Sequence, residues 1–469
     1  MTTATEFIRD AWKGETLEAL KEFIRIPSKS QSFDSNWEAN GYLRAALEQA
    51  AAWGAKRFPA GTFDIISKPG IAPALFIDLP ATGGHDGRPF FLYGHLDKQP
   101  ETEGWREGFG PWTPVVEGDR LYGRGAADDG YSFYAGLTAV QALEAEGTPH
   151  PRIVGLFETA EESGSVGLVE YLEDITARAG NPCVLAILDL GLCDYDRLWL
   201  TRSLRGVGGF KLKVEVLEQP VHSGTASGKV PSSFAVMRQL LDRLEDPATG
   251  RVKIPEFHVE IPEGILEEIR SCAKILGEKV LDFPWAGSTE PRSSDPATAI
   301  RMNTWEPTLS ILGADGLPPT SSASGLIRAS TTLALSFRIP AGADPKAALA
   351  AAERAVTENV PSKARVTVFD SFAEPGFVAP DLAPWLLKAA DEASREFWGN
   401  GLEFCFEGAT IGTMKNFAAC FPEASFFNAG LLGAKESAHA PNESLLLPYV
   451  ERLTATLARV IAAVPHAGK

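Results

Sequence analysis

Histidine and acidic side chains directly follow an apolar segment near the start of this sequence. The run FFLY at 90–93 is followed by a glycine and then by His95 and Asp97. A histidine at a strand end can bind a metal ion while a neighbouring carboxylate orients its ring. The pair can also be structural, with His95 capping the strand and Asp97 solvated in a turn. This pair alone does not decide between the two interpretations.

Four further segments place acidic or histidine residues just beyond an apolar run or at a glycine-rich turn. They are GRGAADDG, LFETAEESG, LAILDLG and LLGAKESAHAPNE, which contain Asp128, Asp129, Glu161, Glu162, Asp189 and His439. In open α/β sheets, ligands bind in the crevice outside the carboxyl ends of the strands. Residues from these distant segments can therefore converge on one site.

Each of these clusters also has a simpler structural interpretation. A lone aspartate at a strand end is commonly a helix cap, and the pair Glu161-Glu162 suits a solvated helix start, where the helix dipole favours negative charge. Asp189 fits such interpretations less well, because five apolar residues lead directly into it. Several segments place such residues just beyond the end of a predicted strand, and this recurrence favours a shared site.

The ligand types in these segments indicate which metal would bind. Two imidazoles and several carboxylates suit Zn²⁺, with Mn²⁺ or Co²⁺ as alternatives. The five cysteines include no C-x-x-C pair, so neither a thiolate zinc site nor a disulfide framework is predicted. The acidic residues exceed the needs of one tetrahedral ion, which predicts two ions that share a bridging carboxylate.

Length and charge limit the other classes of protein. A chain of 469 residues is long enough for at least two domains, and its net charge of -17 argues against nucleic acid or an anionic membrane as partner. No apolar run approaches the roughly 20 residues that span a bilayer. The N-terminal segment has no signal-peptide core, so we expect a cytoplasmic protein.

The order of the predicted elements indicates an α/β protein with an insertion. Apolar strands at 73–80, 88–97, 151–159 and 182–191 alternate with helices, which predicts a mainly parallel sheet. One of these helices is expected to begin at an aspartate cap in DDG and to end at Gly147. Residues 206–374 instead predict an antiparallel sheet with helices on one face. The predicted domains are 1–205 with 375–469, and 206–374.

The motifs GHLDKQP, GRGAADDG, ETAEESGS and SAHAPNE, together with the aspartate after LAIL, resemble those of the co-catalytic zinc aminoacyl dipeptidases. This is the carnosinase-like branch of the family that also includes carboxypeptidase G, aminoacylase and succinyl-diaminopimelate desuccinylase. The resemblance implies a phosphorylase/peptidase-like catalytic domain with an inserted ferredoxin-like lid through which the chain forms a homodimer.

Carried over by position, the resemblance gives each residue a role. His95 and Asp189 would hold one zinc ion, Glu162 and His439 the other, and Asp128 would bridge them. Asp97 would orient the His95 ring, and Glu161 would be the general base. From the lid, His222 would reach the partner subunit's active site and stabilise the oxyanion. The substrate's free carboxylate would contact Arg338 and Thr410.

Without the resemblance, the favoured interpretations are an ion pair on the sheet surface for Arg338 and a turn residue for His222. The remaining histidines, at 85, 150, 258 and 466, are expected to be non-functional. The sequence departs from the family pattern at DDGYS, which lacks a lysine after the second aspartate. It also departs at Lys98, which we expect on the substrate-facing side, and at Ala409 and Thr410 in the turn FEGATIG.

The resulting functional hypothesis is a two-zinc hydrolase that cleaves the amide bond of a dipeptide or a similar small substrate with a free carboxylate. An N-acyl amino acid amidohydrolase or a glutamate carboxypeptidase would use the same site. A non-catalytic binding homologue is the alternative from a different class, and it would be expected to lack a ligand or the base.

Overall fold

The computed structural model describes residues 2–467. The helices in this range are α1 (Ala4–Lys13), α2 (Glu15–Ile24), α3 (Trp37–Asn40), α4 (Tyr42–Arg57), α5 (Tyr131–Glu146), α6 (Val169–Ala179), α7 (Ser223–Ala226), α8 (Ser233–Leu244), α9 (Glu263–Leu276), α10 (Pro296–Thr304), α11 (Pro345–Thr357), α12 (Pro384–Trp398), α13 (Thr413–Cys420) and α14 (Leu447–Ala462). None of them is both long enough and apolar enough to cross a membrane.

The strands in the same range are β1 (Thr62–Lys68), β2 (Ile71–Leu79), β3 (Phe90–His95), β4 (Val115–Glu117), β5 (Arg120–Tyr122), β6 (Ile153–Glu158), β7 (Val184–Ile187), β8 (Trp199–Leu204), β9 (Gly206–Glu215), β10 (Val221–His222), β11 (Thr308–Asp315), β12 (Leu326–Ile327), β13 (Ser330–Ile339), β14 (Arg365–Glu374), β15 (Phe377–Val378), β16 (Glu403–Glu407), β17 (Ser425–Asn428) and β18 (Ser444–Leu446).

The chain divides into two compact units. Unit 1 consists of Met1–Arg202, Ala379–Cys405 and Asn416–Lys469, and unit 2 consists of Ser203–Val378 and Phe406–Lys415. The catalytic and lid roles given above to 1–205 with 375–469 and to 206–374 stay predictions.

Unit 1 contains a six-stranded sheet in the order β1-β2-β6-β3-β7-β17. The pairs β6–β3, β3–β7 and β7–β17 are parallel, and β1 and β2 add antiparallel strands at one edge. Every residue of β3, β6, β7 and β17 is buried, which explains why these strands are almost continuously apolar in sequence. The prediction of a mainly parallel sheet is confirmed.

Helix α5 begins differently from the prediction. Its N-terminal cap is Gly130, and no side chain caps it. Asp128 and Asp129 instead lie buried in the turn Ala126–Gly130 that precedes the helix. The expected aspartate cap is therefore wrong, and both carboxylates are available for other contacts. The helix ends at Gly147 as predicted, with φ at 82° in the left-handed region that glycine adopts readily.

Unit 2 contains an antiparallel four-stranded sheet in the order β11-β13-β9-β14. Along β13, buried and half-buried residues alternate strictly, as expected for a strand with one face on a core. Helices α8 and α11 pack against this sheet and share its apolar core, which includes Leu212, Met237 and Phe337. The predicted two-layer arrangement of helices on an antiparallel sheet is confirmed.

Candidate metal centre and carboxylate site

The parallel strands of unit 1 bring the predicted ligands to one edge of the sheet. In the register of β3 and β6, His95 pairs with Glu158, and Tyr93 of β3 pairs with Ile187 at the end of β7. Residues that immediately follow β6 and β7 therefore emerge at the same level as His95. Glu161, Glu162 and Asp189 occupy those positions.

The five predicted metal ligands form two groups that share one residue. His95, Asp128 and Asp189 make up the first group, and Asp128, Glu162 and His439 make up the second; the ligand atoms within each group lie within 4.8 Å of one another. Nε2 of His95 is 3.2 Å from Oδ1 of Asp128, and Nε2 of His439 is 2.9 Å from Oδ2 of Asp128. Asp128 therefore presents one carboxylate oxygen to each group.

Several atoms of these groups are buried without a hydrogen-bond partner among the described residues. They are Nε2 of His95, Oε1 of Glu162 and Oδ1 of Asp189. Leaving a buried polar atom without a partner costs about 1–3 kcal/mol, so such atoms usually contact something else. Imidazole nitrogens and carboxylate oxygens are suitable ligands for Zn²⁺. The residues therefore fit two cations that share Asp128.

The pKa values of the cluster reflect crowded negative charge. Burial, together with the negative charge of Asp128, raises the pKa of Glu162 to about 7 and that of Asp189 to about 6. Burial also acts to raise the pKa of Asp128, but the close contacts and positive charges of His439 and His95 hold it well below its ordinary value. Contacts with Asp128 and Glu162 raise the pKa of His439 to about 11. Bound cations would relieve the repulsion among these carboxylates.

Asp97 supports the cluster in two ways. Its main-chain oxygen lies 3.2 Å from Nδ1 of His95 and forms a hydrogen bond with it, so Nδ1 is the protonated nitrogen and Nε2 is left for a metal. Its carboxylate accepts the main-chain N–H groups of Glu161 at 3.2 Å and Glu162 at 3.0 Å. Asp97 therefore orients the turn that carries Glu161 and Glu162 as well as the ring of His95.

Glu161 lies beside the cluster but belongs to neither ligand group. Its Oε2 is 4.0 Å from Nε2 of His95. Burial raises the pKa of Glu161 well above its ordinary value; the charge of His95 opposes this shift, and the charges of Asp189 and Glu162 add to it. A carboxylate with a raised pKa next to a metal centre is suited to accepting a proton near neutral pH.

The predicted carboxylate-binding residues meet in unit 2. Nη1 of Arg338, on β13, donates to Oγ1 of Thr410 at 3.2 Å, and that hydroxyl donates to the main-chain oxygen of Arg205 at 2.6 Å. His222 is exposed at the end of β10, where its Nδ1 accepts the N–H of Gly224. This contact is the turn role considered above, and the role in a partner subunit stays a prediction.

The sequence analysis missed Arg205, which lies beside Arg338. Arg205 is only 4% exposed, and its guanidinium donates to the main-chain oxygens of Gly408 at 3.3 Å and Glu306 at 3.1 Å. Burial, together with the positive charge of Arg338, lowers its pKa to about 10. The sequence held no signal for this proximity, because it depends on the strand register, in which Gly206 pairs with Ile339 and each arginine precedes one member of that pair.

Lys98 does not face the substrate side as expected. It is fully buried, and its Nζ donates to the main-chain oxygens of Phe23 at 2.8 Å, Ile26 at 2.7 Å and Ile24 at 3.3 Å. The last carbonyls of a helix have no partner within the helix. Lys98 therefore caps the C-terminal end of α2, and the expectation is wrong because this position turns inward after β3.

The missing lysine after Asp129 has a packing explanation. Gly130 occupies that position, and a Cβ built on it would collide with the Phe23 ring and lie 2.6 Å from the main-chain oxygen of Gly125. The ring of Phe23 thus fills the space that a side chain at this position would need.

Gln99 is a further residue that the sequence analysis did not single out. Its Nε2 donates to Oε2 of Glu162 at 2.5 Å, so it orients a predicted ligand. Its place in GHLDKQP, two residues after Asp97, was the available signal.

Comparison with known proteins identifies the class to which this fold and site belong. Residues 91–463 match the peptidase family M20/M25/M40. The chain belongs to this family and is a metallopeptidase. The resemblance inferred from the motifs is confirmed.

Two curated relatives and one solved structure show how similar the chain is to characterised members. A Beta-Ala-His dipeptidase of Homo sapiens is 28% identical over 347 residues, which cover 70% of this chain and 65% of that protein. A Cys-Gly metallodipeptidase of Schizosaccharomyces pombe is 26% identical over 383 residues, 76% of this chain and 75% of that protein. The crystal structure of human carnosine dipeptidase 1 has the same fold, with a TM-score of 0.76, 22% identity and 98% coverage of both chains.

Proposed function

We propose that this metallopeptidase hydrolyses the amide bond of a dipeptide, or of a similar small substrate with a free carboxylate, with two bound Zn²⁺ ions. The observation that carries the proposal is the sharing of Asp128 between two groups of three ligands. The dipeptidase names of the relatives support the substrate class. Mn²⁺ and Co²⁺ suit the same ligands.

In this proposal His95 and Asp189 would hold one ion, Glu162 and His439 would hold the other, and Asp128 would contribute to both sites. The bound ions would supply Lewis acidity to a water molecule and to the substrate carbonyl. Asp97 keeps Nδ1 of His95 protonated and holds the Glu161–Glu162 turn through its two main-chain N–H groups.

Glu161 moves the proton in the reaction. Its carboxylate takes a proton from the attacking water as the new C–O bond forms, and it returns that proton to the amide nitrogen as the C–N bond breaks. Its position outside both ligand groups supports this role, because its oxygens are free to face the water.

Arg338 and Thr410 would bind the free carboxylate of the substrate. The Arg338 guanidinium has a hydroxyl as its hydrogen-bond acceptor and lies beside another cation, Arg205. A guanidinium with donors to spare is well shaped for a carboxylate. Arg205 adds positive charge to the same place.

We also propose that the chain is a cytoplasmic homodimer that associates through residues 206–374, with His222 donating a hydrogen bond to the oxyanion in the partner's site. The exposed position of His222 supports this. Mixing His222→Ala with a metal-site variant, His95→Ala, should restore activity that each lacks alone. No restoration would place His222 in its own subunit's site.

The experiment that tests the function is a substrate panel. The purified chain is stripped of metal with a chelator and then supplied with Zn²⁺ or Mn²⁺. Its cleavage of dipeptides, N-acyl amino acids and acyl glutamates is followed by liquid chromatography. Metal-dependent cleavage of dipeptides supports the proposal. Cleavage of only the other two classes would instead identify an amidohydrolase or a glutamate carboxypeptidase, and metal binding without cleavage of any class would indicate a binding protein.

A further inference from the structure

Glu443 is a fully buried carboxylate that contacts the turn carrying Asp128. Its Oε1 accepts three main-chain N–H groups, from Gly125 at 3.0 Å, Ala127 at 3.1 Å and Asp128 at 3.2 Å. Three donors from one turn converge on a single oxygen. The conformation of this turn therefore depends on the position of Glu443.

The other carboxylate oxygen of Glu443 is held by an arginine. Its Oε2 accepts from Nη1 of Arg124 at 2.7 Å, and Arg124 is itself only 1% exposed. The same guanidinium donates to the main-chain oxygen of Pro100 at 3.3 Å and to Oγ1 of Thr102 at 3.1 Å. Hydrogen bonds between ionised groups are shorter and stronger than neutral ones, so both oxygens of Glu443 are fixed.

Glu443 also belongs to the segment that carries His439, four residues earlier. The main-chain oxygen of Glu443 accepts the N–H of Gly123 at 3.0 Å, and the next residue, Ser444, pairs with Tyr122 in the β18–β5 ladder. The main chain and the side chain of one residue thus connect the segment of His439 to the turn of Asp128. These two ligands come from parts of the sequence more than 300 residues apart.

We infer that Glu443 is a positioning residue that fixes Asp128 relative to His439 and so sets the affinity of both ion sites. The inference rests on the proposed two-metal centre. Because Asp128 belongs to both ligand groups, a displaced Asp128 weakens both sites at once. Loss of a ligand that belongs to one group, such as Glu162, would primarily weaken one site.

The test compares Glu443→Gln with Glu436→Gln. Glutamine at 443 keeps an oxygen for the three N–H groups but turns an amide donor toward Arg124. Glu436 is a matched control, because it is equally buried and bonded to an arginine, but its hydrogen bonds go to Arg120, Tyr195 and Gly433. The measurements are Zn²⁺ affinity at each site by chelator competition and the melting temperature of each stripped protein.

We expect Glu443→Gln to weaken both sites by about tenfold or more, the range seen when residues supporting metal ligands are changed. Glu436→Gln should weaken them much less at a similar melting temperature. If Glu443→Gln does not fold, Arg124→Lys gives the same test, because lysine keeps the charge but not the three guanidinium contacts.

Three results would overturn the inference: unchanged affinity in the tested variant, weakening of one site only, or equal weakening in the Glu436→Gln control. A wild-type chain that binds no ions would instead overturn the proposed function. The two failures are therefore distinguishable.

Discussion

Each unit contains a partly buried cluster of charged side chains in which one sign predominates, and the predominant signs are opposite. In unit 1, carboxylates crowd around His95 and His439, and several of their atoms have no hydrogen-bond partner among the described residues. In unit 2, Arg205 and Arg338 lie side by side, and their hydrogen bonds go to neutral oxygens. Elsewhere in the chain, buried charges such as Arg124 and Glu443 are paired with each other.

This difference separates binding sites from structural ion pairs. A buried ion pair satisfies its own charges, whereas a cluster with an excess of one sign is costly to bury unless a ligand of the opposite sign completes it. The acidic cluster is thus suited to cations, and the arginine pair is suited to an anion such as a substrate carboxylate. The predictions below test these two clusters and, at Lys98, a buried charge that belongs to neither.

The largest effect is expected in unit 1, from Glu161→Gln. Hydrolysis should fall by about 10²–10⁴-fold, because a general base contributes in this range, while both ions stay bound. Turnover and metal content are measured on the same sample, with the exposed Glu170→Gln as control. Near-normal turnover, or loss of an ion, would contradict the role given to Glu161.

A smaller effect is expected in unit 2, from Arg338→Met. The Michaelis constant for a dipeptide should rise about tenfold or more, since a hydrogen bond to a charged group contributes about 1.5–3 kcal/mol and 1.4 kcal/mol corresponds to tenfold. Metal content should not change. Arg354→Met, on the exposed side of α11, is the matched control.

A dipeptide with an amidated C-terminus sharpens this test. It carries no carboxylate, so wild type and Arg338→Met should bind it about equally. If the substitution impairs both substrates to the same extent, Arg338 does not recognise the carboxylate.

Lys98→Met should affect stability and leave catalysis nearly unchanged. The substitution removes the hydrogen bonds that Lys98 donates to three carbonyls at and just beyond the end of α2, so we expect the free energy of unfolding to fall by about 1–3 kcal/mol. Urea unfolding measures this, with the exposed Lys388→Met as control. A changed Michaelis constant together with an unchanged free energy of unfolding would indicate that Lys98 faces the substrate.

The smallest effect is the pH dependence of the stripped protein. The pKa of Glu162 rises from its ordinary 4.5 to about 7 in the folded chain, and that of Asp189 from 3.8 to about 6. A group with a raised pKa stabilises the fold below its ordinary value, and that stability is lost as the pH rises through the folded value. The pKa of Asp128 is shifted downward, so its contribution changes only below pH 3.8.

The melting temperature of the stripped chain should therefore fall relative to that of the Zn²⁺-loaded chain as the pH rises from 4.5 to 7.5. Thermal unfolding of both forms across this range measures the difference. A difference that does not change with pH would show that these carboxylates do not repel one another in the folded chain.

Local sequence patterns were enough to predict some of the strands, helices and site residues of this molecule. Strands such as β3 and β7 could be predicted because they are buried on both faces, and His95 at the end of β3 and Asp189 just beyond β7 stand out from these apolar runs. Helix α11 could be predicted because Asp344 caps it and Pro345 begins it.

Contacts between distant segments could not be predicted in this way. The sequence does not indicate that Lys98 turns inward to α2, that Asp128 and Asp129 are buried in a turn instead of capping α5, or that Glu443 reaches the turn of Asp128. The partners of Lys98 and Glu443 include main-chain atoms, which no residue type marks in the sequence.

The most direct test of the central claim is the number of metal ions bound per chain, measured together with hydrolysis during chelation. We expect two ions per chain in the active enzyme, parallel loss of ions and dipeptide cleavage during dialysis against a chelator, and recovery of both with Zn²⁺. Fewer than two ions in the fully active enzyme, or cleavage that persists after complete metal removal, would contradict the claim.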